Sequence, residues 1–300
     1  MYDVLIVGAG PAGLTAAIYA ARNNLKVGIF EGNVPGGQVV VTATVENYPG
    51  YSKIDGPDLA YSMFEQTMNL GVELIGSNVI EIKKLEDHFK IITEDEEFLG
   101  RVVIIATGTS QKKLEVPGES NFESRGISWC AICDGSLYKG KDVAVVGGGN
   151  SALEETIYLS NIVNKVYLIH RRQEFRAESH IVNKVRELKN VEFVLDSVVD
   201  EFIGDKQLGK IRLRNVKNNQ ERVIEVSGCF EYVGQIPATS FVENLGITDE
   251  AGYILVDENF ETKVENLFAC GDVLVKNIRQ IVTATSDGAS AALNAIKKLS

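Results

Sequence analysis

Val4-Leu5-Ile6-Val7-Gly8-Ala9-Gly10-Pro11-Ala12-Gly13, near the start of the chain, decides the fold. Four apolar residues in a row suit a parallel strand buried on both faces. The glycines then make a tight turn, and Leu14 to Arg22, rich in Ala and Leu, reads as a helix. In a strand–turn–helix unit, Gly8, Gly10 and Gly13, with Pro11 and Ala12 between them, let the backbone approach a pyrophosphate whose charge rests on the helix N-terminus. The next strand, Lys26 to Phe30, ends at Glu31, 18 residues after Gly13. A carboxylate there accepts from the hydroxyls of an adenosine ribose without a 2′-phosphate. The glycines alone are a weak signal, and the acid at that offset makes it a strong one.

The pattern recurs 139 residues further on. Val143 to Val146 runs into Gly147-Gly148-Gly149-Asn150-Ser151-Ala152 and a helix from Leu153 to about Ser160. The following strand, Val166 to Ile169, ends in His170-Arg171-Arg172, again 18 residues after the turn, and Arg176 adds a further cation. Cations in place of the acid favour a ribose that carries a 2′-phosphate. Each charge-assisted hydrogen bond is worth roughly 1.5–3 kcal/mol, so losing one costs about tenfold to over a hundredfold in affinity. The bland alternative, a solvated run of charge, does not account for the offset. The first site therefore reads as FAD and the second as NADPH, the latter held by Gly147, Gly149, Asn150, Ser151, Ala152, His170, Arg171, Arg172 and Arg176.

Around these two units the chain supplies accessory pieces. Gly36-Gly37-Gln38 and the polar run 41–50 form a loop too long for mere linkage, and Asp58 to Gly71 reads as an amphipathic helix. Residues 72–99 alternate like antiparallel strands, with Val79 to Ile82 among them. Val102 to Gly108 is another buried strand, and its Thr107-Gly108 end places backbone against a nucleotide. Pro117-Gly118 looks like a connector, and Pro237 to Phe241 reads as a return to the first domain. Asn266 to Asp272 is a last strand, whose Asp272 is suited to accept from a ribityl hydroxyl of the flavin. Arg279-Gln280 then precede a helix, Thr283 to Leu299, with its N-terminus toward the flavin pyrimidine. The expected fold is α/β: two Rossmann-like, three-layer dinucleotide-binding domains, an FAD domain of residues 1–109 and 242–300 with an NADPH domain of residues 110–241 inserted.

Trp129-Cys130-Ala131-Ile132-Cys133-Asp134-Gly135 lies inside that insertion. Two cysteines separated by two residues close a small disulfide ring, in which one thiolate attacks a partner disulfide and the other resolves the mixed disulfide. Asp134 is placed to trade a proton with a thiolate or a reduced flavin; its plain alternative is a turn acid. A zinc knuckle needs a second ligand pair, but Cys229 and Cys270 are solitary in apolar strands and His88, His170 and His180 are scattered, so no metal is expected. The two-dinucleotide framework rules out a thioredoxin, whose motif also begins Trp-Cys.

Bulk composition sets the outer limits. Three hundred residues suggest two domains. A net charge of −11 disfavours nucleic acid and anionic membranes, and no apolar run nears the roughly 20 residues of a membrane helix. Four cysteines are too few for a disulfide scaffold, and the strand beginning at Tyr2 leaves no room for a signal peptide. A cytoplasmic enzyme is the expectation.

Taken together, Cys-Ala-Ile-Cys-Asp-Gly between two glycine turns, His-Arg-Arg-x-x-x-Arg after the second, Val45-Glu46-Asn47-Tyr48-Pro49-Gly50, Gly271-Asp272 and Arg279-Gln280 resemble the small bacterial type of thioredoxin reductase over essentially the whole chain. The resemblance implies a homodimer in which hydride passes from NADPH to FAD, electrons pass to the Cys130–Cys133 disulfide, and the dithiol reduces oxidised thioredoxin. It places Cys133 beside the flavin and makes Cys130 the attacking thiol. It assigns to FAD, beyond the first turn and Glu31, residues Gly36, Gly37, Gln38, Thr42, Asn47, Val79, Ala106, Thr107, Gly108, Gly271, Asp272, Arg279, Gln280 and Ile281. Dithiol and nicotinamide site then share one domain while both must reach one flavin, so that domain is expected to rotate. Residues 231–237 vary from the family pattern, and no individual NADPH contacts are assigned there. Relatives that draw electrons from ferredoxin, or that oxidise small dithiols with oxygen, fit less well, because neither needs the second turn and its arginines.

Overall fold

A computed structural model describes residues 1–42 and 44–299. Ala43, within the polar run 41–50, and the terminal Ser300 lie outside the described residues. The chain divides into two compact units, Met1–Ser110 with Ile236–Ser300, and Gln111–Gln235. The return crossing falls after Gln235 rather than after residue 241. The two crossing segments, Thr109–Gln111 and Gln235–Pro237, pair as a short ribbon, and Phe241, Val242 and Leu245 already pack in the core of the first unit.

In the first unit the apolar run forms strand β1 (Tyr2–Val7) and the helix α1 (Pro11–Ala21), followed by β2 (Val27–Phe30). The helix begins at Pro11, three residues before the expected Leu14, since proline lacks only an N–H that the first turn would leave unused. β1 is central, parallel to β2 on one side and to Glu97–Ile105 on the other. The far edge of Glu97–Ile105 is shared: Phe89–Thr93 pairs antiparallel with its first half and Leu267–Ala269 parallel with its second. The antiparallel expectation for 72–99 holds for Val79–Lys84 with Phe89–Thr93, whereas Glu73–Ile75 lies parallel to β2. One face of the sheet packs on α1 and the C-terminal helix Ile281–Leu299, with Leu14, Ala16, Ile104 and Ala292 fully buried or nearly so. The other face is covered by Val242, Ile247, Ile254 and Leu274.

The second unit has a wholly parallel sheet in the order Ile127–Ser128, Gly228–Tyr232, Asp142–Gly147, Lys165–Ile169, Val191–Val194. An antiparallel meander, Ser197–Gly204, Leu208–Asn215 and Glu221–Glu225, covers one face through Phe202, Ile211, Leu213 and Ile224. The helices Asn150–Ser160 and Ser179–Arg186 cover the other through Leu153, Leu159, Ile181 and Val185. Each unit is thus a three-layer α/β structure with its strand ends carrying the glycine turns.

Candidate active site: a dithiol and two dinucleotide cradles

At the end of β1, Gly8 turns with φ +103°, and a methyl group there would sit 2.6 Å from Ala106 O. A methyl on Gly13 would lie 1.9 Å from Gly8 O, so only glycine lets α1 start this close to the strand. No side chain caps α1, which leaves its first N–H groups to an anion. Gly36 donates its N–H to Ala9 O at 2.7 Å and brings Gly37 over Gly10. Glu31 closes the end of β2, its Oε2 accepting from Ala9 N at 3.1 Å and its Oε1 from Asn33 N at 2.9 Å. A carboxylate has about four acceptor positions, so two remain for ribose hydroxyls. Asn78, next to Val79, stands against Gly32 in the turn after Glu31.

The far end of this cradle assembles from distant segments. Asn47 Nδ2 donates to Gln280 Oε1 at 3.1 Å across 233 residues of chain, Gln38 Nε2 donates to Thr109 O, and Thr42 Oγ1 donates to Gln38 O. Thr107 Oγ1 donates to Ala238 O. Arg279 holds the corner 272–274 by donating to Asp272 O and Leu274 O, with its guanidinium over Tyr253. The helix after it starts at Ile281, two residues before the expected Thr283, so Ile281 packs at the helix start against the cluster of Val39, Val45, Leu59 and Ala60. Asp272 Oδ1 is buried without a partner, and burial first, then Asp287, raises the Asp272 carboxyl. A hydroxyl-bearing ligand supplies the donor that this carboxyl lacks, so the residues fit a flavin dinucleotide.

The second cradle differs in charge. The helix starts at Asn150 itself, directly after Gly149, with no side-chain cap, and Ser151 and Ala152 complete its first turn. Gly147 has φ +158° and stands against Ala152 Cβ and Tyr232 O. His170 is 7% exposed, lies flat against Phe175 and packs on Gly148. Burial, then the neighbouring arginines, hold its pKa down, so His170 shapes the turn as a neutral ring. The charge comes from Arg171, Arg172 and Arg176, all exposed and without an acidic partner among the described residues. Arg176 N donates to Gly148 O at 2.7 Å, tying that loop to the turn. Three free cations beside an uncapped helix N-terminus fit a phosphorylated dinucleotide.

Cys130 and Cys133 are joined, their Cα atoms 5.3 Å apart. Both are half-buried, and Cys130 caps the short helix Ala131–Asp134, its Sγ accepting from Cys133 N at 3.2 Å. Asp134 Oδ2 accepts from Ser128 Oγ at 2.7 Å while Oδ1 is buried without a partner, and burial raises its pKa. Two positions that local pattern does not single out complete the setting. Ser128 accepts from Cys130 N at 3.1 Å, and Tyr232 Oη accepts from Ala131 N at 2.8 Å. Glu155, on the second cradle's helix, is pushed up to about 7 by burial and by Glu154. Cys229 and Cys270 are buried and free. Among the described residues, no group of three or more His, Cys, Asp or Glu is placed to hold a metal, and no helix is long and apolar enough to cross a membrane.

Comparison with known proteins agrees with this geometry. Residues 2–288 match the family described as pyridine nucleotide-disulphide oxidoreductase. A thioredoxin reductase of Bacillus subtilis is 43% identical over 97% of this chain and 93% of its own length. One from Mycoplasma pneumoniae is 45% identical over 98% and 94%. The crystal structure of thioredoxin reductase from Streptococcus pyogenes superimposes with a TM-score of 0.93 at 44% identity, covering 100% of this chain and 98% of that one. A dithiol and two dinucleotide cradles on one chain, matched over nearly full length, mean that it belongs to the pyridine nucleotide-disulphide oxidoreductases, in their thioredoxin reductase branch.

Proposed function

We propose that the chain is an NADPH-dependent, FAD-containing reductase of thioredoxin, working as a cytoplasmic homodimer. The observation that carries the reading is the Cys130–Cys133 disulfide beside a desolvated acid, in the same unit as a cradle with three unpaired arginines. Bound flavin and nicotinamide supply the hydride chemistry that delivers an electron pair to the disulfide. Gly8, Gly10 and Gly13 with the start of α1 would hold the flavin pyrophosphate, Glu31 its adenosine ribose and Asp272 its ribityl chain. Gly147, Gly149 and Asn150 would hold the second pyrophosphate, with Arg171, Arg172 and Arg176 on the 2′-phosphate.

Once reduced, Cys130 is the better nucleophile. The N–H that Cys133 directs at its sulfur stabilises a thiolate there. That thiolate attacks one sulfur of the thioredoxin disulfide, and the other leaves as a thiolate that takes up a proton. Cys133 then attacks Cys130 Sγ, releasing the second thiolate of thioredoxin and restoring the Cys130–Cys133 bond. Asp134, whose carboxyl burial raises, is the acid placed to give a proton to the departing thiolate.

The test is anaerobic: one equivalent of NADPH, and separately NADH, is added to the yellow protein and to a Cys133→Ser variant. Bleaching of the flavin by NADPH and not NADH, followed by recolouring with oxidised thioredoxin in the parent but not the variant, is the expected result. A flavin that neither nucleotide bleaches would overturn NADPH as donor.

A further inference from the structure

The strand Gly228–Tyr232 lies between Ile127–Ser128 and Asp142–Gly147, with Phe230 opposite Ser128. Its last two residues therefore run beside the chain as it leaves Ser128 for Cys130, and side-chain alternation sends them to opposite faces. Tyr232 already has a task on one face, receiving Ala131 N–H. Glu231 occupies the other and is 1% exposed. Glu119, 3% exposed, stands against it with its carboxylate accepting from the backbone of Leu114, Glu115 and Val116 at 2.9, 2.6 and 3.3 Å. The indole of Trp129, the residue before Cys130, is the third polar group. Glu119 and Trp129 both come close enough to Glu231 to act on its proton. Yet both Glu231 oxygens and Trp129 Nε1 are buried without a hydrogen bond of ordinary geometry. Buried polar atoms in want of partners, gathered in one place, satisfy each other or are costly.

We propose that Glu231 is the positioning residue of the dithiol loop: its protonated carboxyl bridges Glu119 and the Trp129 indole, and so seats the chain segment that presents Cys130. The acid O–H donates to the Glu119 carboxylate, the bond that needs the proton, while the carbonyl oxygen accepts from the indole. Burial first, then Glu119, pushes Glu231 up to about 9, which keeps that proton in place at neutral pH. The other charged or titratable neighbours are Glu123, Lys113, which pairs with Glu123, and the buried Cys229 on the same strand. Above the transition two carboxylates face each other in an apolar setting, and the seat of Trp129 opens. This device does not depend on which disulfide protein is the substrate.

Trp129 is the only tryptophan, so its emission reads the seat directly in the flavin-loaded protein. Emission is followed from pH 6 to 10.5 in the parent, Glu231→Gln, Glu231→Ala and Glu119→Gln. The parent should show a shift with a midpoint within about one pH unit of 9. Glu231→Gln, which keeps a donor and an acceptor, should retain the neutral emission and lose the transition. Glu231→Ala should show the opened emission already at pH 7 and reduce its Cys130–Cys133 bond severalfold faster with a phosphine. If Glu231→Ala does not fold, Glu119→Gln serves as the second arm, with the midpoint displaced downward. A transition of unchanged midpoint in Glu231→Gln, or a flat parent profile between pH 7 and 10, overturns the proposal.

Discussion

Burial raises the carboxyls of both Asp134 and Glu231, and each has a separate consequence. Asp134→Asn keeps the shape and the Ser128 contact but cannot pass a proton, so steady-state reduction of thioredoxin should fall about a hundredfold. In the parent, turnover should decline on the alkaline side as Asp134 loses its proton, and the variant's pH profile should lack that limb. Glu231 acts on folding. Between its ordinary value of 4.5 and its folded value of about 9, the native chain binds a proton that the unfolded chain has released. Stability should therefore decrease as pH rises through that window and level off above it, with a slope of at most about 1.4 kcal/mol per unit from this group. Urea midpoints at pH 6 and pH 8 measure this, and Glu231→Gln should show the smaller decrease.

The helix pair behind the first cradle depends on close approach. A methyl on Gly288 would lie 2.1 Å from Ala12 O, so Gly288→Ala must push Ile281–Leu299 away from α1 just where α1 begins. We expect a loss of about 3 kcal/mol, at the upper end for overpacking, with loss of bound flavin seen as a lower visible-to-ultraviolet absorbance ratio. The role proposed for the loop after Lys165–Ile169 is one of charge instead. Arg172→Ala should raise KM for NADPH by about tenfold or more while leaving KM for NADH nearly unchanged, because only the former carries the 2′-phosphate. Equal effects on both would mean that the arginine does not meet that phosphate.

Two units joined by two crossings have consequences for turnover. Dithiol and second cradle lie together in Gln111–Gln235, and the first cradle lies in the other unit. In the proposed function one flavin serves both, so the units are expected to change their mutual arrangement during turnover. An engineered cross-link between the two units should abolish steady-state turnover, and reduction of the cross-link should restore it. Full turnover with the cross-link closed would show that no such motion is needed.

Local pattern carried much of this protein. Both strand–turn–helix units, the acid and the basic cluster 18 positions after each turn, and the dithiol were legible because their spacing is set by the chain itself: a strand feeds a glycine turn, and the turn feeds a helix. The helices begin two to three residues earlier than side-chain composition suggests, because Pro11, Asn150 and Ile281 tolerate first-turn positions that polarity does not mark. The chain order of residues also announced an interrupted first unit, although the return crossing moved to 235/236 once Val242 was seen buried in a core that no local signal defines. Pairing between distant segments stayed out of reach of sequence. Asn47 meets Gln280, Tyr232 meets Ala131, and Glu231 meets Glu119 and Trp129 only because the folded layers bring segments far apart in the chain side by side. Nothing in the stretch 231–237 marks its glutamate as buried. Burial by the surrounding layers made it a proton-holding acid, and desolvation is a property of the folded whole that no single stretch of chain contains.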